Sequence, residues 1–405
     1  MRRDPERLRA LDQVRLSLIL VLTGVQSLEV SQSFSRLANT PLWILGPAAM
    51  TGLFATLGYT QAVSRNQRDV RPFLSRSMIR ATPVGIFAIL VSFGVLGPLV
   101  TTMPIGEYFT RNESWQYLLN LALVPRLALP GVFEFNNLAN VVNVVAWTLP
   151  AWALTIGVAL VAKSRRMIVA VGLAVIILVA SLFDFASVLS DPVDSGDLHG
   201  LLSFSIGAII AAEAGAVLHK LRSRLRMPLP LVGAAATILG AVALLGDRSW
   251  ADQFLPQFAI GTASAVLAIS VADVRLPAGQ VTRAVKPLFT PIFAFSFPIQ
   301  QLVILLGPRD QSGLMNVALS LPLIFLMSLS FHLIIGRPLV ARFHKPSHNA
   351  AQATWGPPSI FHGRKLLREW TVEHGLTIIL LAGLIAAVLI ALSLTIFAMQ
   401  PGATN

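Results

Sequence analysis

Polar and ionisable side chains set inside long apolar runs are where this chain could do chemistry, because a bilayer makes such groups expensive to keep. The first run carries Arg15 near one end and Gln26 and Glu29 toward the other. Arg15 is either a functional cation or a side chain snorkelling to lipid phosphates. Gln26 can act as hydrogen-bonding glue between helices. Asn137, Asn140 and Asn143 lead into Trp147-Thr148-Leu149-Pro150. That is either a polar approach to an interrupted helix or an interfacial tryptophan followed by a proline kink. The segment Phe295-Ser296-Phe297-Pro298-Ile299-Gln300-Gln301 sets a proline and two glutamines near the middle of another run. Carbonyls freed there need partners or a cavity. Trp147, Ser296 and Gln300 are the candidates to line one.

Other constellations carry less. Asp197 and His199 could form an acid–base pair, but loops normally expose such residues, and a solvated loop is the expectation. His344 and His348 are four apart, a spacing that suits two metal ligands on one helix. Pro346 between them argues against a regular helix, so no metal site is expected. Glu213 lies near His219, within reach of a cytoplasmic arginine. The chain has no cysteine, which excludes disulfides, thiolate metal sites and a cysteine nucleophile. It has no P-loop, dinucleotide fingerprint, GxSxG or HExxH motif.

The elements that must position these residues are membrane helices. Charged residues make up only 12% of the chain and hydrophobic ones 55%, where an ordinary soluble domain carries about 25% charged. The mean hydropathy is +0.71. A span needs about 20 mainly apolar residues. By that measure the expected fold is an all-α, polytopic integral membrane helix bundle. Its eleven spans fall near 13–31, 41–63, 82–102, 141–162, 167–185, 199–218, 229–246, 254–272, 288–306, 315–336 and 374–398. The first is expected to be a retained helix, since no small-x-small cleavage site follows it. The long 104–140 connection contains Trp115–Pro125, too short to span and expected to be interfacial or re-entrant.

Charge placement orients the bundle. With the N-terminus inside, 26 of the 31 Lys and Arg fall in cytoplasmic segments, leaving Arg36, Arg111, Arg126, Arg248 and Arg309 outside. The positive-inside rule predicts that asymmetry, and one missed span would scramble it. The net charge of +12 therefore reads as a cytoplasmic-leaflet signature facing the lipid bilayer, and no nucleic acid partner is expected. The expected location is the inner (cytoplasmic) membrane, with the C-terminus extracytoplasmic. Residues 1–340 form a ten-helix body, 341–373 a cytoplasmic linker with Pro346, Pro357 and Pro358, and 374–405 an extra C-terminal transmembrane helix.

Several segments, taken in order, resemble the acyltransferase family 3 of integral membrane acyltransferases. Leu11-Asp12-x-x-Arg15 looks like the family's first-helix start, where Arg is followed by ten residues and a His; here that position is Gln26. Phe73-Leu74-x-Arg76-x-x-x-Arg80-x-x-Pro83 is similar to its basic loop before the third helix. Trp147-Thr148-Leu149-Pro150 is similar to its Trp-Thr-Leu motif, with Ala151, Trp152 and Ala153 where Glu usually follows. Phe295 to Gln301 looks like its His-Phe-Pro segment, with Ser296 in place of His. Ser330-Phe331-His332 through Arg337-Pro338 looks like its Ser-Trp…Glu-Arg-Pro ending, with Gly336 in place of Glu. The resemblance covers roughly residues 8–340.

What the resemblance implies is transfer of an acyl (acetyl) group from cytoplasmic acyl-CoA, a co-substrate and not a bound cofactor, to a hydroxyl of an extracytoplasmic glycan or lipid-linked sugar. Arg15, Arg76 and Arg80 match the positions that would hold the CoA phosphates, a task suited to guanidinium. Gln26 stands where the base would be, and a carboxamide cannot take a proton near neutral pH. Glu29, one helical turn on, is the candidate substitute. Three readings follow. One is a divergent acyl-CoA-dependent O-acyltransferase. The second is a catalytically inactive scaffold serving as a subunit or accessory protein of a membrane complex. The third, a transporter or channel, ranks last for want of inverted repeats and midplane charges.

Overall fold

Every apolar run long enough to cross a bilayer must satisfy its own backbone, so helix is the only open-ended solution. The computed structural model describes residues 5–31, 37, 39–65, 70–138, 140–143, 145–160, 172, 196–222, 229–246, 254–271, 280–308 and 311–339. The expected spans 167–185 and 374–398, the 341–373 linker, His344 and His348 lie outside these. Among the described residues the fold is all-helical, with only two isolated β-bridges, Thr101 to Val132 and Ala128 to Val141.

In chain order, α1 is Pro5–Val30 and α2 is Leu45–Arg65, entered through a 3-10 turn at Pro41–Ile44. Helix α3, Val70–Val91, runs on through a π-helical turn at Ser92–Leu96 and a last α turn at Gly97–Val100. Short helices α4 (Ile105–Thr110) and α5 (Asn112–Gln116) follow, the latter continuing as a 3-10 stretch, Tyr117–Ala122. Then come α6 (Val145–Leu160), α7 (Gly196–Arg222), α8 (Leu229–Leu245), α9 (Phe254–Val271), α10 (Gln280–Val285), α11 (Phe289–Leu306) and α12 (Gly313–Phe331).

Among the described residues five helical runs are long and apolar enough to cross a membrane: Ala10–Val30, Pro41–Val63, Ala81–Val100, Lys286–Leu306 and Gly313–Leu339. Shorter apolar helices occupy Thr148–Val158, Phe204–His219, Pro230–Leu245 and Pro256–Val271. All nine fall on expected spans. The chain divides into two compact units, 1–325 and 326–405. In the second, the described residues are helical and include a π-helical turn at His332–Gly336.

The first unit is built around α2 and α7. Lipid tails are as apolar as leucine, so helices here associate by close packing rather than by escape from water. Small residues permit it. At Gly58 a β-carbon would fall inside the carbonyl of Ala212, and at Gly215 inside the carbonyl of Ala55. The two contacts are reciprocal, so each backbone lies directly on the other. Gly261 of α9 repeats the device against α7, where a β-carbon would sit 2.8 Å from the Gly207 carbonyl oxygen. Edge-on ring pairs flank the α2–α7 crossing, Phe54 with Phe204 at 5.9 Å and Tyr59 with His219 at 4.9 Å.

The segment between α3 and α6 folds over its own core, in which Tyr108, Tyr117, Leu129, Val132 and Phe133 are at most 1% exposed. Tyr108 donates its hydroxyl to the Phe93 carbonyl oxygen at 2.9 Å, inside the π turn where the regular ladder is broken. Asn120 closes the following bend. Its Nδ2 donates to the carbonyls of Tyr117 (2.8 Å) and Arg126 (2.7 Å), and its Oδ1 accepts from the Arg126 amide (2.9 Å). That clamp holds Leu123 at φ 64°, a left-handed conformation rare for a side chain of this kind.

Two outcomes follow. Gly58→Leu forces the α2–α7 backbones apart and is expected to lower stability by about 3 kcal/mol or more. Gly157→Ala, where a β-carbon meets nothing within 4 Å, should leave thermal unfolding of the detergent-solubilised protein unchanged. Second, burial raises the Tyr117 hydroxyl, and burial with its neighbour Tyr117 raises that of Tyr108, well above the usual phenol range. A raised folded value means their stabilisation is full below the unfolded phenol value of about 10 and is lost as pH climbs through the folded ones. In an absorbance titration of the folded protein Tyr108 and Tyr117 should stay protonated near pH 10; ionisation there of two of the three tyrosines would show this core to be open.

Candidate functional site

Helix α1 carries two polar stations eleven residues apart, roughly 16 Å along its axis at about 1.5 Å per residue. The first is centred on Arg15. Its Nε donates to Thr56 Oγ1 at 3.0 Å, one terminal nitrogen donates to the Thr56 carbonyl at 2.9 Å and to Thr60 Oγ1 at 3.0 Å, and the other reaches Asp12 Oδ1 at 3.4 Å. Thr56 and Thr60 are one turn apart on α2. Each gives its own hydroxyl hydrogen back to its helix, Thr56 to Leu53 (2.8 Å) and Thr60 to Leu57 (2.8 Å) and Thr56 (3.0 Å). Their oxygens are therefore left as acceptors aimed at the guanidinium.

Asp12 completes this station. It is 7% exposed, and Lys286, in the turn before α11, donates to its Oδ2 at 2.5 Å. One carboxylate thus ties together a cation on its own helix and one from the far end of the chain. Arg76 and Arg80 lie one turn apart on α3, and their side chains lie outside the described residues. Of the three phosphate-ligand candidates the described side chains therefore include Arg15 alone, and it cross-links α1 to α2.

The second station lies between α1 and α11. Ser296 donates its hydroxyl to Gln26 Oε1 at 2.9 Å, and Gln300 Nε2 donates to the Thr23 carbonyl at 2.7 Å. Gln26, Ser296 and Gln300 are all at most 2% exposed. Thr23, Gln26 and Ser27 fall on one face of α1, at the three- and four-residue steps of a helix. Ser27 donates to the Gly313 carbonyl at the start of α12, at 2.8 Å. Glu29 is half-buried one turn beyond Gln26. Trp147 sits in α6, and its side chain lies outside the described residues.

Proline explains how the loop before α6 joins this station. Pro298 has no amide hydrogen, so the carbonyl four residues earlier, that of Ala294, loses its helical partner. Asn143 Nδ2 donates to that oxygen at 3.3 Å, while Asn143 Oδ1 accepts from the Val145 amide at 2.9 Å and starts α6. Gln301 extends the same join. Its Nε2 donates to the carbonyls of Leu138 (3.1 Å) and Val141 (3.2 Å), and its Oε1 and backbone carbonyl accept from Asn136 Nδ2 (2.5 and 2.9 Å). Asn137 donates to the Ser31 carbonyl at the end of α1.

The sequence reading singled out Gln26, Ser296 and Gln300, and the structure brings them together. It missed Asn136, Thr23, Ser27 and the Asp12–Lys286 pair. The repeated asparagines and the polar stripe on α1 were visible signals; a partner 274 residues away was not. Among the described residues no group of three or more His, Cys, Asp or Glu could hold a metal ion.

Comparison with models of protein families, with curated proteins and with solved structures gave no match.

The first station predicts a stability effect. Arg15→Ala leaves the Thr56 carbonyl and Asp12 short of partners within the bundle, an expected loss of about 1–3 kcal/mol for the unsatisfied acceptors. Arg15→Lys should recover little, because one ammonium cannot span Thr56, Thr60 and Asp12 as the planar fork does. Thermal unfolding of both variants in detergent checks this; wild-type stability in Arg15→Ala would release Arg15 for another role.

Proposed function

We propose that this chain is a catalytically inactive member of an acyltransferase-family-3-like design: a ten-helix body with an eleventh span, its N-terminus cytoplasmic, kept as a subunit or accessory protein of a membrane complex in the inner membrane. One observation carries the reading. Gln26 and Ser296 stand where the family resemblance places its first-helix His and the His of its His-Phe-Pro segment, 270 residues apart, and they meet at 2.9 Å. Their meeting supports the resemblance, since two unrelated motifs have no reason to converge. Their chemistry argues against acyl transfer.

Attack of a sugar hydroxyl on an acyl thioester forms the new C–O bond, breaks the C–S bond and releases a proton that a base must take up. Neither an amide nor a serine hydroxyl accepts it near neutral pH. The serine proton is, moreover, already shared between the amide oxygen and the Phe293 carbonyl oxygen at 3.0 Å. Loss of a general base alone costs about 10²–10⁴-fold in rate. Arg15, matched to a CoA-phosphate position, spends its donors on Thr56, Thr60 and Asp12.

A second reading rests on Glu29. As a half-buried carboxylate one turn from Gln26, it is the one group there with the right chemistry to serve as a base. On this reading the protein transfers an acetyl group from acetyl-CoA to an extracytoplasmic glycan or lipid-linked sugar.

Membranes carrying the protein, its Glu29→Gln variant, or neither are to be given acetyl-CoA labelled in the acetyl group. Label is then followed into lipid and glycan fractions, and free CoA is measured. The inactive reading expects label transfer and CoA release equal in all three. Transfer above the protein-free membranes that disappears in Glu29→Gln would establish the second reading and overturn the first.

A further inference from the structure

The segment 112–125 has two faces of opposite character. Ser114, Tyr117 and Asn120 point inward and are at most 2% exposed. Trp115, Leu119, Leu121, Leu123 and Val124 point outward and are between 40% and 52% exposed. From Ser114 to Pro125 there is no charged residue, while Glu113 and Arg126 bracket the stretch. Five large apolar side chains on one short uncharged face form a patch of the kind that marks an interaction surface.

Its occupant follows from what the patch adjoins. The outward stripe of α3 is Ile86, Leu90, Val95 and Leu99, each 42% to 57% exposed, on a helix long and apolar enough to cross a membrane. The steps are four, five and four. The five-residue step crosses the π-helical turn Ser92–Leu96, whose extra residue keeps the stripe on one face. Trp115 joins the patch to the end of that helix, with its ring 5.1 Å from that of Phe93. The indole is prepared for an apolar setting: Nε1 already donates to the Phe109 carbonyl at 2.7 Å, so the ring can leave water without leaving its N–H unpaired.

We propose that the outward face of 112–125 is a lipid-docking surface that lies flat in the adjoining leaflet at headgroup depth, continuing the lipid-facing stripe of α3. Trp115 sits at the boundary. Leu119, Leu121, Leu123 and Val124 reach the first methylenes of the acyl chains, and the buried Tyr108–Tyr117 core stands on the opposite side as the rigid backing.

The absence of cysteine makes the test direct. A bimane fluorophore is attached to Leu121→Cys, to Leu119→Cys as an independent site should one variant fail to fold, and to Asn112→Cys at the exposed polar end. The full chain is reconstituted in phosphatidylcholine vesicles. Emission is quenched either by phosphatidylcholine brominated near the headgroup or by aqueous iodide. The expected result is quenching by the brominated lipid several-fold stronger at 119 and 121 than at 112, with the order reversed for iodide. Iodide reaching 121 as readily as 112 would overturn the proposal by placing the face in water. Shielding of 119 and 121 from both quenchers would overturn it in favour of a protein, such as a second copy, covering the face. Equal lipid quenching at 112 and 121 would overturn it in favour of insertion into the bilayer.

Discussion

A carbonyl oxygen released inside an apolar bundle has no water to turn to, and the join between α1, α11 and the loop before α6 is organised by that constraint. Pro298 removes the amide that would have served Ala294. Asn143 supplies the missing donor, and in doing so fixes where α6 begins, because its own oxygen caps the Val145 amide. Gln301, Asn136 and Asn137 extend the join, each amide donating to a main-chain carbonyl of a neighbouring segment. Carboxamides suit this work since each offers both donor and acceptor without a charge to bury. An ionised side chain in the same place would need a counter-charge to offset its desolvation.

The Arg15 station solves the same problem with charge. A guanidinium in a bundle must find acceptors for a rigid set of donors, and the two threonines of α2 provide them because their hydroxyl hydrogens are already turned back onto their own helix. Asp12 then sets one carboxylate between two cations, Arg15 and Lys286. The result is a cross-link in which α1 is held to α2 on one side and to the turn before α11 on the other. A cation so engaged is a positioning device for helices, and it would have to give up several bonds to grip a phosphate.

Hydropathy made the helices legible. Runs at 13–31, 41–63, 82–102, 288–306 and 315–336 coincide with the five long apolar helices, because in lipid an apolar run of that length has one way to satisfy its backbone. The polar outliers within them were legible too: Gln26, Ser296 and Gln300 stand out against their neighbours and do converge. What composition could not disclose was pairing. Nothing in the residues around Gly58 or Gly215 says that each lies on the other's helix, and Asp12 gives no hint of Lys286. The fold of 101–143 was equally hidden. It rests on Tyr108 finding one carbonyl in a π turn and on Asn120 clamping a left-handed Leu123, contacts set by three-dimensional coincidence and not by any periodicity.

The Gln26–Ser296 bond is where structure and chemistry pull apart. A catalytic pair is built to move a proton, which requires two groups of nearly matched basicity and a site that tolerates charge in either place. An amide and a hydroxyl share a hydrogen bond without ever exchanging the proton, so the same contact becomes permanent. Buried at 2% and 1% exposure, with Gln300 bound one turn away, it ties α1 to α11 in every protonation state the cell can reach. On the reading proposed above, a neutral pair where the resemblance places a titratable one makes this contact a pH-independent strut. On that reading the contact serves the rigidity of the bundle and not turnover.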